Sequence, residues 1–563
     1  MIVKKPFIRW KEMNMKKIEI VFKEGRPLSE GYYPGLNPRV EVDEKLGIIC
    51  EYDVAVPLRD GAKIRVNIYR PKKDGKYPII ICWTLYGKHN PPHVKYSSFP
   101  GCGVSDADLS KYAIFEGADP GYWCQHGYIV IHADPRGLWG SEGDYTHMSE
   151  QEAQDCYDLI EWAAAQPWSN GNVGMTGVSY LAAIQWKVAA LNPPHLKAIN
   201  PWEGLTDFYR EFAYHGGIPS DFPLRISKRF FSNSRVEDIE EMMFNRHPFF
   251  DEYWKSLNPD LSKVTVPTFV VASWSDHGLH TRGTLEGFKK ISSKEKWLRV
   301  HGGKKWQDYH QNVELLRLFF DRYLKGIDND WKYFPRVLIE VRDRGFLGYW
   351  RAEDEWPIAR TKYEKLYLNA EDGTMSKHPV LKESSVHYDA QKGEVIFEYI
   401  FDEKTELTGH MKLKLWVEAI NNDDMDLFVI IEKIDRSGQR VGFPIQNTIN
   451  DGPAALGWLR VSHRELDEEN STEYQPVLKH QRHLKLKPGE IVPVEIEIWP
   501  TSILFHQGER LQLIIQGRDY DLLVSRGSMY LHSRTINRGE HVIYAGGKYD
   551  SHLLVPIIPK REC

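Results

Sequence analysis

The chain has 563 residues, of which 42% are hydrophobic and 27% charged, and its formal net charge is −5. This length exceeds what one hydrophobic core usually supports, so we expect two or three domains. The composition is that of a globular protein, and its lysines and arginines form no basic stripe. Because nucleic-acid binding requires clustered positive charge, this pattern argues against a nucleic-acid partner.

Cysteine usage and hydropathy predict a soluble, cytoplasmic protein with no membrane partner. The cysteines show no C-x-x-C spacing, which predicts neither a disulfide framework nor a zinc site. Residues 1–17 carry charges throughout, so no signal peptide is predicted, and no apolar run approaches the roughly 20 residues that span a bilayer. The six cysteines are Cys50, Cys82, Cys102, Cys124, Cys156 and Cys563.

The first residues predict an arm followed by a hairpin. Residues 1–45 are polar and contain several glycines and prolines, so we interpret them as an N-terminal arm that wraps a larger domain. Residues 50–56 and 64–69 then alternate between apolar and polar side chains around the turn at Arg59-Asp60-Gly61. Such alternation about an Asp-Gly turn is typical of a β-hairpin.

Short apolar runs separated by helical stretches follow the hairpin. Strands that are buried on both faces and alternate with helices predict a parallel sheet covered by helices. We therefore assign residues 46–335 to an α/β catalytic domain. Residues about 205–262 interrupt this rhythm, are rich in Phe, Tyr and His, and predict an inserted helical lid. The apolar runs are residues 78–83, 128–133, 172–176, 268–272 and 297–300, and residues 152–165 have helical spacing.

After Gly326 the pattern changes to strands. Many short strands with polar loops predict a β-sandwich or jelly roll, which we assign to residues 336–563. The predicted strands include residues 337–341, 395–400, 411–419, 427–432, 492–499 and 511–516.

The segment around Ser179 carries the strongest chemical signal. Gly174-Met-Thr-Gly-Val-Ser179-Tyr-Leu-Ala182 follows a short β run and precedes a helical stretch. Small residues at such a turn let the backbone bend sharply, so that the hydroxyl stands above the sheet at a helix N-terminus. Ser179 is therefore the predicted nucleophile of an α/β-hydrolase, although Leu181 stands where the usual elbow has glycine.

A serine nucleophile needs a histidine base and an orienting carboxylate, which follow it in the chain in this fold. Asp276 comes just after the predicted strand at residues 268–272 and fits the acid. His280, His301 and His310 all lie downstream and are candidates for the base. We favour His301, because it ends a predicted strand at the catalytic edge of the sheet, and keep His310 and His280 as alternatives.

The oxyanion hole is expected to include the loop that follows an earlier strand. Tyr86 and Gly87 come directly after the run at residues 78–83. The Tyr86 phenol and the backbone N–H of Tyr180 are the predicted donors to the carbonyl oxygen.

These residues together resemble the cocaine esterase / X-Pro dipeptidyl-peptidase (CocE/NonD) family of α/β-hydrolases, over nearly the whole chain from about residue 50. The resemblance implies Ser179 as nucleophile, Asp276 as acid, and Tyr86 with the Tyr180 amide as oxyanion hole. It also implies a jelly-roll tail. The matching segments are Arg59-Asp-Gly61, Tyr86-Gly-Lys88, Asp134-Pro-Arg-Gly137, Gly140-Ser-Glu-Gly143, Gln166-Pro-Trp168, Gly177-Val-Ser-Tyr180 and Phe319-Phe-Asp-Arg-Tyr-Leu-Lys-Gly326.

Two departures from the family pattern stand out. Ala182 occupies a position that is usually glycine in the family, which is a small-for-small exchange. The family histidine lies in a Gly-Pro-Trp-x-His segment, whereas this chain reads Val300-His-Gly-Gly-Lys-Lys-Trp306.

The predicted function is hydrolysis of a carboxylic ester or amide through an acyl-enzyme on Ser179, with no metal or organic cofactor. The alternatives are an X-Pro dipeptidyl-peptidase, in which Glu203 or Asp207 would hold the substrate α-amine, and a degenerate hydrolase that only binds its ligand. The expected partner is a small ester or amide substrate, and a homo-oligomer is possible. The segment expected to line or cover the pocket comprises Trp202-Glu-Gly204, Phe208, Tyr209, Phe212, Tyr214 and His215.

Overall fold

The computed structural model describes residues 18–560. The first 17 residues of the predicted arm, and Cys563, lie outside the described residues. Within the arm, Phe22–Glu24 pairs antiparallel with Arg235–Glu237, and Arg39–Asp43 joins the edge of the main sheet.

One large sheet forms the N-terminal half of the structure. Along it the strands lie in the order β1-β2-β3-β5-β4-β6-β7-β8-β9-β10-β11. Pairing is parallel from β5 through β10 and antiparallel at both ends, which confirms the predicted hairpin and parallel sheet. The strands are β1 (Arg39–Asp43), β2 (Ile48–Pro57), β3 (Lys63–Pro71), β4 (Tyr77–Trp83), β5 (Ile129–Asp134), β6 (Ser169–Val178), β7 (Leu196–Trp202), β8 (Thr268–Ser273), β9 (Lys296–His301), β10 (Val337–Arg344) and β11 (Leu347–Glu353).

The central strands are apolar over their full length because both faces are covered. Ile79, Ile80 and Ile81 in β4 have no solvent exposure, and the side chains of β5 and β8 are all buried. The main helices lie between these strands in the chain. They are α1 (Glu150–Ala164), α2 (Tyr180–Ala189), α3 (Thr281–Lys290), α4 (Lys305–Gln311) and α5 (Val313–Lys325), with a shorter helix at Pro120–Trp123.

The connection between β7 and β8 is a long insertion. It combines short helices with short strands, and its aromatic residues are mostly buried in the core that also covers the main sheet. We call residues 203–267 the inserted segment. Its helices are Phe208–Ala213, Phe222–Ser227, Ile239–Glu241, Met242–Arg246, Glu252–Leu257 and Leu261–Lys263, and its strands are Tyr214–His215, Ile218–Pro219 and Arg235–Glu237.

The C-terminal part is almost entirely antiparallel and has its own hydrophobic core, which confirms the predicted change to β structure. Its long strand Thr405–Ile420 pairs with Val492–Phe505, Glu540–Ala545 and His552–Ile557. We call this part the C-terminal β domain. Its other strands are Lys362–Asn369, Thr374–Ser376, Ser384–Asp389, Glu394–Ile400, Asp426–Ile434, Arg440–Val441, Phe443–Ile445, Ile449–Gly452, Ala455–Arg460 and Arg510–Gln516, and it contains a short helix at Asp521–Ser525.

Candidate active site

Ser179 lies at the sharp turn between β6 and α2. Its backbone has φ 63° and ψ −116°, a left-handed conformation that costs a non-glycine residue on the order of 1–3 kcal/mol. The Ser179 N–H is 3.1 Å from the carbonyl oxygens of both Trp202 and Glu203, which hold the turn in place. A Cβ on Gly177 would lie 2.4 Å from the Cβ of Leu181, so Gly177 leaves the room that this bulkier elbow needs.

The histidine in contact with Ser179 is His280. Its Nε2 atom lies 2.9 Å from Ser179 Oγ, and both side chains are buried. His280 is the N-cap residue of α3. The backbone N–H groups of His280 and Thr281 both donate to the carbonyl oxygen of Asp276, at 3.1 and 3.3 Å, and this tight turn brings the imidazole to Ser179.

We favoured His301 as the base, but the structure places the alternative, His280, against Ser179 instead. His301 ends β9 as expected, but its Nε2 atom lies 3.1 Å from Glu203 Oε1 and 3.4 Å from Asp308 Oδ2. His310 is also directed elsewhere, with Nε2 2.9 Å from the Tyr96 hydroxyl. A position at the edge of the sheet does not by itself bring a histidine to Ser179, because two neighbouring carboxylates, Glu203 and Asp308, hold the His301 ring elsewhere.

Asp276 lies beside the Ser179–His280 pair, but its closest charged partner is a lysine. Its Oδ2 atom is 2.8 Å from Lys305 Nζ and 3.9 Å from His280 Nε2. In the part of the chain that the structure describes, Asp276 Oδ1 and His280 Nδ1 are both buried without a hydrogen-bond partner. The carboxylate is therefore adjacent to the histidine without the direct hydrogen bond of a catalytic triad.

The electrostatics of the site keep the His280 ring neutral. Burial lowers its pKa well below the usual value, and the positive charge of Lys305 lowers it further. His301 differs, because Asp308 and Glu203 outweigh the effect of burial and raise its pKa. A neutral imidazole can accept a proton from the serine, so His280 is in the protonation state that a general base requires.

Tyr86 lies in the loop after β4, where the sequence predicted an oxyanion donor. Burial, reinforced by the negative charge of Glu116, raises the pKa of Tyr86 well above its usual value, so the phenol keeps its proton. The Ser179 hydroxyl and the Glu116 carboxyl are among the groups that influence this pKa. Tyr180 is the first residue of α2, where a backbone N–H has no partner within the helix. Its phenol points toward Glu152 and Tyr145.

The family model described as X-Pro dipeptidyl-peptidase (S15 family) matches residues 60–224, and that of the X-Pro dipeptidyl-peptidase C-terminal non-catalytic domain matches residues 329–554. A CocE/NonD family hydrolase from Staphylococcus aureus is 44% identical in sequence. Its crystal structure superposes with a TM-score of 0.89, covering 97% of this chain and 99% of that one.

The chain belongs to the CocE/NonD family of hydrolases. It is a serine hydrolase, and it has an α/β-hydrolase fold followed by a C-terminal β domain. The cocaine esterase of Rhodococcus sp. (strain MB1 Bresler) is 24% identical over 90% of this chain and 98% of its own length. An α-amino acid ester hydrolase at 18% identity and a TM-score of 0.66 shares the fold, with coverage of 93% of this chain and 98% of that one.

Sequence reasoning missed Glu116, which this CocE/NonD hydrolase buries near Tyr86. Glu116 has a left-handed backbone with φ 63°, and its Oε1 accepts a hydrogen bond of 2.7 Å from Trp306. Burial raises the pKa of its carboxyl to about 7. The available signal was a lone acidic residue within the apolar sequence Ile114-Phe-Glu-Gly-Ala118.

The C-terminal β domain also reaches the loop that carries Asp276 and His280. Gln446 N donates to the Ser275 carbonyl at 2.7 Å. His277 follows Asp276 in this loop. Its Nδ1 accepts a hydrogen bond of 3.0 Å from Leu456 N, and its Nε2 lies 3.1 Å from the Pro500 carbonyl oxygen. The β domain of this family member therefore supports the loop that carries His280, a contact that no local sequence pattern indicated.

The residues predicted to line the pocket are mostly packed against other parts of the protein. Phe208 and Phe212 contact the ring of His147, at centroid distances of 6.0 and 5.4 Å. The Tyr214 hydroxyl donates to the Met243 carbonyl, and His215 lies 2.7 Å from His532. These contacts indicate packing roles for most of the set.

The two carboxylates considered for an α-amine are already occupied. Glu203 accepts a hydrogen bond of 2.7 Å from Ser273 and contacts His301. Asp207 caps the helix at Phe208–Ala213 and pairs with Arg210 at 2.7 Å.

Within residues 18–560 no cluster of three or more His, Cys, Asp or Glu side chains is arranged to hold a metal ion. The same residues include no helix with the length and apolar character that crossing a bilayer requires.

Proposed function

We propose that this enzyme hydrolyses carboxylic esters through an acyl-enzyme on Ser179, with His280 as the general base. The observation that carries the proposal is the 2.9 Å contact between His280 Nε2 and Ser179 Oγ at a strained turn. A strained serine beside a neutral histidine is the arrangement that nucleophilic catalysis requires.

The reaction proceeds in two steps. His280 Nε2 accepts the proton of Ser179 as Oγ attacks the carbonyl carbon, and the oxygen that becomes negative receives hydrogen bonds from the Tyr86 phenol and the Tyr180 N–H. The tetrahedral intermediate expels the alcohol, which takes the proton from His280. A water molecule then repeats the sequence on the acyl-enzyme, releasing the acid and regenerating Ser179.

The proposal favours esters over amides. No carboxylate is hydrogen-bonded to His280 Nδ1 among the described residues, so the imidazolium that forms during the reaction receives less stabilisation than in a triad. An ester carbonyl is more electrophilic than an amide carbonyl, and an alkoxide leaves more readily than an amide anion. The ester is therefore the substrate that a weaker base can turn over.

A second candidate is cleavage after an X-Pro dipeptide, the activity named by both matching family models. Glu116 Oε2 and Asp276 Oδ1 are buried carboxyl oxygens without a hydrogen-bond partner among residues 18–560, and either could receive a substrate ammonium group. These two oxygens, and not those of Glu203 or Asp207, are therefore the acceptors that could bind a substrate with a free amine.

The test is a panel of p-nitrophenyl esters, anilides and X-Pro p-nitroanilides assayed with the purified protein. We expect turnover of short esters to exceed that of the matched anilides. Faster turnover of X-Pro anilides would favour the second candidate. Failure of a fluorophosphonate to label Ser179, with no turnover in the panel, would instead indicate a hydrolase fold that only binds its ligand.

We also propose a lid, a jelly roll and the domain boundaries of the chain. Residues 205–262 are proposed to act as a lid, which is supported by the inserted segment's packing next to the site, including Phe222 against Tyr530 at 5.2 Å. Residues 336–563 are proposed as a jelly roll, supported by the antiparallel pairings of Thr405–Ile420 and Asp426–Ile434, whereas β10 and β11 within this range extend the main sheet. The proposed boundaries are an arm at 1–45 and a catalytic domain at 46–335. Proteolysis at these boundaries tests them.

Oligomerisation and location are also proposals. Strand β11 exposes Leu347, Tyr349 and Trp350 at the end of the main sheet, which favours a homo-oligomer. Light scattering on the wild type and Trp350→Glu would test that interface.

The five described cysteines are all free and buried, which supports the reducing cytoplasm as the location. Cell fractionation tests it.

A further inference from the structure

We propose that Lys305 is a positioning residue that holds Asp276 in a neutralised ion pair, so that His280 activates Ser179 without a carboxylate bound to its ring. This inference rests on the proposed function, because it takes His280 as the base. It replaces the role of triad acid that the sequence assigned to Asp276.

The geometry of the ion pair supports the inference. Lys305 is the first residue of α4, and its side chain and that of Asp276 are each only 2% exposed. The Nζ to Oδ2 distance of 2.8 Å is shorter by more than 1 Å than the 3.9 Å from the same carboxyl oxygen to His280 Nε2. Asp276 also approaches the imidazole from the side of Nε2, the atom that faces Ser179. A triad carboxylate would bind the other nitrogen.

The surrounding charges keep Lys305 protonated. Burial alone would lower its pKa, but the carboxylates of Asp276, Glu116 and Glu203 outweigh burial and raise it. Tyr530 of the C-terminal β domain is a further titratable neighbour of Asp276, and its pKa is raised by burial and then by the charge of Asp276.

Within the Lys305–Asp276 pair, it is the positive charge of Lys305 that shifts the pKa of His280. Lys305 lowers the His280 pKa, whereas a triad carboxylate would raise it. The other groups that face the ring are Ser179, Asp276 and the backbone of Gly204. The imidazole is thereby kept neutral to lower pH than in a triad, and the consequence is an acidic limit of activity that lies below the usual range for histidine.

The pH dependence of Ser179 labelling by a fluorophosphonate tests the inference, because it measures the activation of the serine without a known substrate. In Lys305→Met the positive charge is lost, so the His280 pKa rises and the acidic limb should move up by about one pH unit or more. Lys305→Arg keeps the charge and should leave the limb near that of the wild type. Lys304→Met is the matched control, because its Nζ contacts the Gly101 carbonyl outside the site. An acidic limb in Lys305→Met that coincides with that of Lys304→Met would overturn the inference.

Asp276 provides the second test. Replacing the carboxylate of a Ser-His-Asp triad by an amide costs about 10⁴-fold in kcat, whereas Asp276→Asn here should cost about tenfold or less. Since that variant leaves Lys305 buried without its partner, the double variant Asp276→Asn/Lys305→Met removes both charges together and is expected to fold and to label. A folded double variant whose labelling is as slow as that of His280→Ala would contradict the proposal.

Different results would refute the proposed function and the role of Lys305. A wild type that is not labelled at Ser179, or labelling that His280→Ala does not reduce, would refute the proposed function. Labelling that depends on His280 but not on the charge at position 305 would refute only the role of Lys305.

Discussion

His280 and Ser179 are 101 positions apart in the chain, and their Nε2 and Oγ atoms lie 2.9 Å from each other in a buried site. The contact exists because α2 begins directly after Ser179 and α3 begins directly after His280. Each side chain is presented by the start of a helix after a strand of the same sheet.

The nucleophile is tested by Ser179→Ala. Without the hydroxyl the covalent route is lost, so kcat on the best ester should fall by roughly 10³-fold or more. Thermal unfolding of the variant, measured beside the wild type, checks that the fold is intact. Retention of more than about a tenth of wild-type turnover would contradict the assignment of Ser179 as the nucleophile.

The base is tested by His280→Ala. Loss of the proton acceptor should reduce kcat/KM to the level of Ser179→Ala and remove the acidic limb of the pH profile. The matched control is His310→Ala, because His310 is a partly buried histidine that contacts Tyr96 at 2.9 Å instead of Ser179. We expect that control to keep most of its turnover, and the reverse pattern would mean that the static contact does not identify the base.

His301 is expected to matter for stability more than for chemistry. Because its pKa is raised by Asp308 and Glu203, its contribution is fully present below the unfolded-state pKa and is lost as pH rises through the folded-state pKa. His301→Gln should therefore lower the free energy of unfolding by on the order of 3 kcal/mol near pH 6, with a smaller loss at pH 9. Urea unfolding at the two pH values measures the difference, and equal losses would contradict the ion-pair explanation.

The oxyanion donor is tested by Tyr86→Phe. If the phenol stabilises the charge that develops on the carbonyl oxygen, its removal should cost about 10²-fold in kcat with little change in KM. Tyr96→Phe is a suitable control, because Tyr96 is another buried tyrosine, bonded to His310 and the Glu116 backbone. A Tyr86→Phe variant that mainly raises KM would reassign this residue to substrate binding.

Much of the catalytic framework could be predicted from the sequence because it depends on local signals. Apolar runs and helical spacing predicted the parallel sheet and the β-rich tail, since burial on both faces leaves a continuous apolar pattern. The glycines before Ser179 predicted a sharp turn, and Tyr86 followed a strand at the expected edge. Each of these features is encoded within a few neighbouring residues.

The partners of these residues were decided by the tertiary structure. His280 is only four residues from Asp276. From the sequence alone, a base at this position could not be distinguished from a histidine on the same loop with a supporting role. His301 has a position in the chain that fits a base equally well, yet Glu203 lies against it. The packing of the loops after β7, β8 and β9 decides which histidine contacts Ser179. The same packing pairs Asp276 with Lys305 instead of with a histidine. Contacts between loops are set by side-chain packing and charge in a buried space, and no periodic pattern along the chain carries that information.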